Sequence, residues 1–250
     1  MRPPFAVALI LAALPASAGE LPPGFVYLRD VAPAIAQDIR YAGPVNFTRA
    51  ALPGYGAAEC VLKRETAEAL KRVEAALARA RLGLKVYDCY RPARAAAAMW
   101  RWAHDGKREG DTSFYPHADK RQLFALGYIA AHSRHSTGIA VDLTLIPLDP
   151  APGRPRADGN PGPQNAGACT APAAERRTDN SLDMGTGFDC LDPKSATRSP
   201  AVTPAQRRAR ETLRAAMSAQ GFRNYFREWW HYEYRGDDAR RAYDFPIPPR

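Results

Sequence analysis

Two short runs hold the residues best suited to chemistry. The first is Ser133-Arg134-His135-Ser136-Thr137-Gly138-Ile139-Ala140-Val141-Asp142, and the second is Glu228-Trp229-Trp230-His231. Together they offer two imidazoles and one carboxylate, from His135, Asp142 and His231, with a spare carboxylate, Glu228, beside the second imidazole. Three protein ligands and an open fourth position are what a catalytic zinc requires, and a carboxylate that is not a ligand can then take a proton from the attacking water. Two nitrogen donors and one oxygen donor suit Zn2+, one per chain, and are compatible with other divalent transition metals. The tryptophans between Glu228 and His231 are core material, or they dry the site and raise the proton affinity of Glu228.

Spacing sets conditions on the backbone. His135 and Asp142 are seven apart, so on one unbroken strand they would face opposite ways. Gly138 between them can take φ > 0 and turn the chain, which puts His135 in an entering loop and Asp142 within the strand. Glu228 and His231 are three apart, again odd for a strand, and need a bend, a bulge or a helical turn. A second cation source lies in Asp88-Cys89-Tyr90-Arg91-Pro92, where a strand gives way to a helix. Arg91 there can donate to a developing oxyanion, or simply pair with a neighbouring acid at the surface. Asp183-Met184-Gly185-Thr186-Gly187-Phe188-Asp189 reads as a Gly-rich turn with an acid at its end.

The elements that position these groups follow from periodicity. An amphipathic helix is expected over residues 62–82, with Leu62, Ala69, Leu70, Val73, Ala76 and Leu77 on its apolar face and Gly83 as its stop. A strand follows over 84–90, then a helix over 93–104 with Pro92 in its first turn. A short helix is expected over 120–126, and residues 139–146 alternate as a strand with Asp142 opposite Val141. Thr203 can cap a helix that has Pro204 first and ends at Gly221. Residues 222–227 and 229–235 read as strands. Helices and strands mix without βαβ alternation, which argues for a single α+β domain with a largely antiparallel sheet and helices on one side.

Residues 147–180 break the pattern. They are rich in Pro, Gly, Ala and charge and read as a long surface loop inserted within the domain. The N-terminus reads as a secretory signal peptide, residues 1–18, with Arg2, an apolar run over 5–14 and Ala16-Ser17-Ala18 before the cleavage point. The remaining 19–250 fit one domain. No other segment is long and apolar enough to span a membrane. The chain is basic, at +9 by formal charge, and loss of Arg2 with the leader leaves +8. Its basic residues are scattered rather than striped with aromatics, so nucleic acid is not an expected partner. The oligomeric state is not written in the sequence.

Four cysteines in an exported chain point to two disulfides, and no C-x-x-C pair favours a structural zinc. Cys60 precedes the expected helix and Cys89 lies on the strand after it, so a strand–helix–strand return can pair them. Cys169 and Cys190 then bracket the second half of the insertion. The expected location is periplasmic or secreted.

The pattern S-x-H-x-x-G-x-A-x-D followed by E-W-W-H resembles the D-alanyl-D-alanine dipeptidases. They belong to a zinc D-Ala-D-Ala peptidase superfamily that also includes D,D-carboxypeptidases. The likeness runs from about Asp38 to Phe245. It implies a compact α+β fold with zinc in a cleft on the sheet, and it selects His135 over His132, which could otherwise share a metal with it. It also implies that Arg91, in the family's Y-R-P run, stabilises the transition state, and that Asp189, in a run like M-G-x-x-F-D, pairs with the free amino group of the substrate. Asp38-Ile39-Arg40-Tyr41 and Asn46-Phe47-Thr48 resemble the family's N-terminal strand and turn. Tyr41 is a candidate for the amino-group pocket and Ser133 for the substrate carboxylate. His104 and His117 match no motif.

The function expected is hydrolysis of D-Ala-D-Ala in cell-wall dipeptide turnover. One rival is a D,D-carboxypeptidase or endopeptidase acting on peptidoglycan stems, against which Asp189 argues. A rival of another class is a non-catalytic, zinc-stabilised binding module, which would need neither Glu228 nor Arg91. The leader, the insertion and the cysteines depart from the family pattern and touch the compartment rather than the chemistry.

Overall fold

The computed structural model describes residues 20–107, 110–130, 132–149, 167–177, 179–236 and 241–250. The leader, residues 1–18, and the middle of the expected insertion lie outside them. Among the described residues no helix is long and apolar enough to cross a membrane.

Seven strands and four α-helices make up the described fold. They run β1 (Phe25–Tyr27), α1 (Leu28–Val31), β2 (Ala36–Gln37), β3 (Val61–Lys63), α2 (Arg64–Ala78), β4 (Leu82–Asp88), α3 (Ala93–His104), β5 (Ala140–Pro147), α4 (Pro204–Ala219), β6 (Phe222–Asn224) and β7 (His231–Tyr234). Five strands form one sheet in the order β2-β4-β5-β7-β6, and β1 pairs with β3 in a separate ribbon. Only the β2–β4 pair is parallel. The architecture is the α+β domain that the mixed patterning predicts. Helices α2 and α4 pack on each other and against the sheet, and neither lines the cleft described below.

Several boundaries differ from the sequence expectation for identifiable reasons. The helix expected over 62–82 begins at Arg64, because Val61–Lys63 is claimed by pairing with β1. It ends at Ala78, and Arg81 takes a left-handed φ of 58° to make the turn. Gly83 is therefore not the stop but a strand residue opposite Ile146. The helix expected over 120–126 is a single 3₁₀ turn, Lys120–Gln122, capped reciprocally by Asp119 and Gln122. The strand expected over 222–227 stops at Asn224. Helix α3 spans 93–104 as expected, and α4 starts on a Thr203–Gln206 capping box with Pro204 at its first position.

Both expected disulfides are present, Cys60–Cys89 and Cys169–Cys190. The first ties the segment before β3 to the end of β4. The second ties the described end of the insertion, which forms no helix or strand over 167–177, to the segment after it.

Candidate active site

Three strands bring the decisive residues into one row. Asp142 on β5 lies opposite His231 on β7, and on its other side opposite Asp88 on β4. Directly opposed residues share a face of the sheet, so all three side chains emerge together. For Asp88 this depends on a register shift. Val86 pairs with Leu143, and uninterrupted pairing would set Asp88 against Val141, on the wrong face. The shift between Val86 and Asp88 skips Tyr87 and turns Asp88 to the side of Asp142.

His135 reaches the row from outside the sheet. It sits in a 3₁₀ turn, Arg134–Thr137, whose first amide donor is capped by Ser133: the His135 N–H donates to Ser133 Oγ at 3.2 Å. Gly138 ends the turn with φ 78° and sends the chain into β5. A side chain there would be strained, and its Cβ would stand 2.4 Å from the Phe25 ring. The spacing of Glu228 and His231 is resolved by a turn in which the His231 N–H donates to the Glu228 carbonyl at 3.3 Å. Asn224 braces that turn, donating from Nδ2 to the carbonyls of Glu228 at 2.9 Å and His231 at 3.0 Å.

The donor atoms of His135, Asp142 and His231 all lie within 4.8 Å of one another. His135 Nε2 is 3.1 Å from His231 Nδ1 and 3.2 Å from Asp142 Oδ1, and His231 Nδ1 is 2.9 Å from the same oxygen. The outer nitrogens have their own acceptors: His135 Nδ1 is 2.7 Å from the Cys89 carbonyl, and His231 Nε2 is 3.7 Å from Glu233 Oε1. A proton on each outer nitrogen would leave both inner nitrogens as lone pairs beside a carboxylate oxygen, three donors converging on one point. The electrostatics show that this point favours positive charge, carried here by the imidazoles. Burial alone would raise Asp142, yet His135 and His231 hold it far below the usual carboxylate range. Burial alone would lower His231, yet hydrogen bonds to Asp142 and Glu233 push it up to about 10. The donor set fits a divalent transition metal.

The cleft over this row measures about 270 Å³. That is near the lower edge of the roughly 300–1,000 Å³ typical of small-ligand sites. Glu228, Arg91, Ser133, Asp189, Tyr41 and His132 all line it. Burial pushes Glu228 up to about 8, against the opposing pull of His231. Arg91 lies along the same wall, with Nη2 3.8 Å from Asp142 Oδ2 and its guanidinium 4.8 Å over the Tyr41 ring. The Tyr41 hydroxyl donates to Asp189 Oδ2 at 2.5 Å, and both residues are buried. Burial pushes Asp189 up to about 7, with the Tyr41 hydrogen bond acting the other way. His132 stands exposed at the rim, outside the ligand group. Of the two tryptophans, Trp230 lines the cleft, while Trp229 donates from Nε1 to Thr186 Oγ1 at 2.8 Å on the core side.

The sequence model described as D-ala-D-ala dipeptidase (Peptidase_M15) matches residues 22–151 and 163–248. The chain belongs to this family. The two matched segments contain all eight candidate site residues, and the break between them falls within the region read as an insertion. Relatives agree over nearly their whole lengths. The D-alanyl-D-alanine dipeptidase of Streptomyces coelicolor is 32% identical over 227 residues, covering 89% of this chain and 98% of the relative. That of Enterococcus faecium is 30% identical over 226 residues, 90% and 98%. That of Escherichia coli is 29% identical over 208 residues, 83% of each.

Four residues that support this family site were not singled out from the sequence: Asp88, Tyr55, Asn224 and Glu233. Asp88 sits three residues before Arg91, and only the register shift reveals its direction. Tyr55 reaches it from a loop 33 residues earlier. Asn224 read as an ordinary strand residue. Glu233, two after His231, shares that residue's face by strand alternation, which was the one usable signal. It bonds Arg134 Nε at 3.2 Å as well as facing His231.

Proposed function

We infer that this chain is an exported zinc peptidase that hydrolyses the dipeptide D-alanyl-D-alanine to two molecules of D-alanine. The observation that carries the reading is the set of groups that line one cleft. The His135–Asp142–His231 donor set, the Tyr41–Asp189 pair, Glu228 and Arg91 all line it, with Arg91 between Asp142 and the Tyr41 ring. The relatives' activity on D-Ala-D-Ala supports the choice of substrate.

His135, Asp142 and His231 would hold the zinc. When bound, it supplies a Lewis acid for the scissile carbonyl and lowers the pKa of water at the site. Glu228, half-buried and with raised proton affinity, takes the proton of the attacking water and hands it to the leaving amine. Arg91, held charged, donates to the oxygen of the tetrahedral carbon as charge grows there. Asp189 accepts from the substrate ammonium, and that cation in turn holds the carboxylate ionised. The Tyr41 hydroxyl fixes which way Asp189 points. Ser133 accepts a backbone hydrogen bond, and its own O–H remains a donor for the terminal carboxylate. An N-acylated chain end brings no positive charge to Asp189 and loses that pairing, which separates a dipeptidase from a D,D-carboxypeptidase. A binding module would have no use for Glu228 or Arg91.

Export rests on the leader-like residues 1–18 together with the two disulfides. In the envelope the enzyme would act on dipeptide released from wall material. The test is hydrolysis of D-Ala-D-Ala, L-Ala-L-Ala and N-acetyl-D-Ala-D-Ala, with and without chelator and added zinc. Turnover of the free D,D-dipeptide alone, lost on chelation and restored by zinc, is the expected result. Equal or better turnover of the N-acetyl substrate would replace the dipeptidase reading with the carboxypeptidase one.

A further inference from the structure

The carboxylate of Asp88 is fully buried, yet nothing in the reaction above uses it. Its oxygens are nevertheless fully engaged. Oδ2 accepts from Arg91 Nε at 2.9 Å and Nη2 at 2.8 Å, and Oδ1 accepts from the Tyr55 hydroxyl at 2.6 Å. Oδ2 also lies 3.5 Å from His135 Nδ1, but that nitrogen already has the closer Cys89 carbonyl at 2.7 Å. The main tie of Asp88 is therefore to Arg91, not to the metal end. A guanidinium has five N–H donors in a rigid fork. Two are fixed by Asp88, its face is fixed over the Tyr41 ring, Nη1 donates to the Met99 sulfur at 3.3 Å, and Nη2 also lies 3.8 Å from Asp142 Oδ2. An arginine gripped along one edge can present its other edge to the cleft in a single orientation. The register shift at Tyr87 and the Cys60–Cys89 bridge hold the segment that does the gripping.

We propose that Asp88, braced by Tyr55, is a positioning residue for the hydrolysis, acting through Arg91 by fixing the edge that meets the oxyanion. The proposal rests on the dipeptidase reading above. A carboxylate serving only the fold would lower stability without caring whether Arg91 is present. A carboxylate acting through Arg91 must lose its effect once Arg91 is gone.

The experiment is a double-mutant cycle on the zinc-loaded mature chain, with Asp88→Asn, Arg91→Ala and the double variant. Tyr55→Phe is carried in parallel, in case Asp88→Asn fails to fold. Hydrolysis of D-Ala-D-Ala, zinc content and binding of a phosphinate D-Ala-D-Ala analogue, which mimics the tetrahedral carbon, are all read. Asp88→Asn should lower kcat about 10- to 100-fold, the usual scale for a residue that orients a reacting group. KM should move less than about threefold and zinc should stay bound, while phosphinate affinity falls in step with kcat. Tyr55→Phe should show the same split on a smaller scale. In the Arg91→Ala background, neither change should cost anything further. Additive losses in turnover and in phosphinate affinity, or loss of zinc from Asp88→Asn, would overturn the proposal. Inactivity of the wild-type chain on D-Ala-D-Ala would instead overturn the dipeptidase reading, and the phosphinate cycle would still decide the role of Asp88.

Discussion

At the metal end of the cleft, Asp142 and His231 face each other across paired strands, and Asp88 completes the row. Elsewhere on the cleft wall, Asp189 stands in a loop, with a left-handed φ of 60°, and is met by a tyrosine 148 residues away in sequence. Ladder hydrogen bonds on both sides over-determine the first arrangement. The second depends on a hydroxyl, on the Cys169–Cys190 bridge and on a few backbone contacts such as Leu191 N–H to the Phe114 carbonyl at 2.8 Å. A non-glycine residue at positive φ persists only where its surroundings hold it there. The contrast separates two tasks. In the proposed reading, the paired strands and the turns anchored on them hold the metal ligands, and a clamped loop selects the substrate.

Damage at the metal end should be close to all-or-none. Glu228→Ala is expected to cut kcat by about 10³-fold or more while zinc stays bound, since the base is not a ligand. His231→Ala should lose both metal and turnover. Metal analysis alongside kinetics separates the two, and loss of zinc from Glu228→Ala would reassign that residue as a ligand.

Damage at the loop end should be graded and specific to substrate. Asp189→Ala is expected to raise KM for free D-Ala-D-Ala about 10- to 100-fold, the scale of a lost charge-assisted contact, with a much smaller effect on N-acetyl-D-Ala-D-Ala. Steady-state kinetics on both substrates checks this, and equal effects would remove Asp189 from the amino-group pocket.

Loosening the clamp should fall between these effects and silence. Opening the 21-residue separation closed by Cys169–Cys190, through paired Cys→Ser changes, should cost about 3 kcal/mol of stability. KM should rise several-fold with kcat largely kept. Denaturant melts and kinetics together test it, and a fall in kcat at constant KM would show that the loop serves the chemistry after all.

The smallest effect is expected behind the sheet. Glu74 on α2 accepts the Leu84 N–H at 2.7 Å, and burial pushes its carboxyl up to about 7. Its folded pKa lies above the unfolded value, so the folded state binds the extra proton between about pH 4.5 and 7. Its contribution to stability is present below that window and lost as pH rises through it, by an amount on the order of 1–3 kcal/mol. Glu74→Gln should flatten this slope in urea melts without altering kcat or KM. An unchanged slope would show that Glu74 does not titrate in this range.

Much of the site was legible because its residues lie in compact runs. His135, Asp142, Glu228 and His231 occupy two short segments, and Gly138 signalled the turn between the first pair. The supports were less legible, because their role depends on strand register, on the path of a tight turn or on contacts between distant segments. Asp88 is the last residue of a strand whose simple alternation would face it away from the site. Asn224 and Tyr55 have ordinary local contexts. The helix expected over 62–82 lost its first residues to β3 for the same reason: Val61–Lys63 has helical periodicity locally, and its partner, Phe25–Tyr27, lies more than thirty residues upstream.

Residue chemistry and period therefore pointed, without coordinates, to the α+β class, the cap at Thr203, the pairing of the cysteines and a donor set with a candidate base, in which the family resemblance chose His135 over His132. These depend on side-chain type or on near neighbours along the chain. Tertiary structure alone decided which face Asp88 takes, how the Glu228–His231 turn is braced and how Asp189 meets Tyr41. The first is set by register between strands, the second by a side chain four and seven residues away whose direction the chain's path decides, and the third by a contact across 148 residues; a one-residue slip in pairing reverses the face of every side chain beyond it.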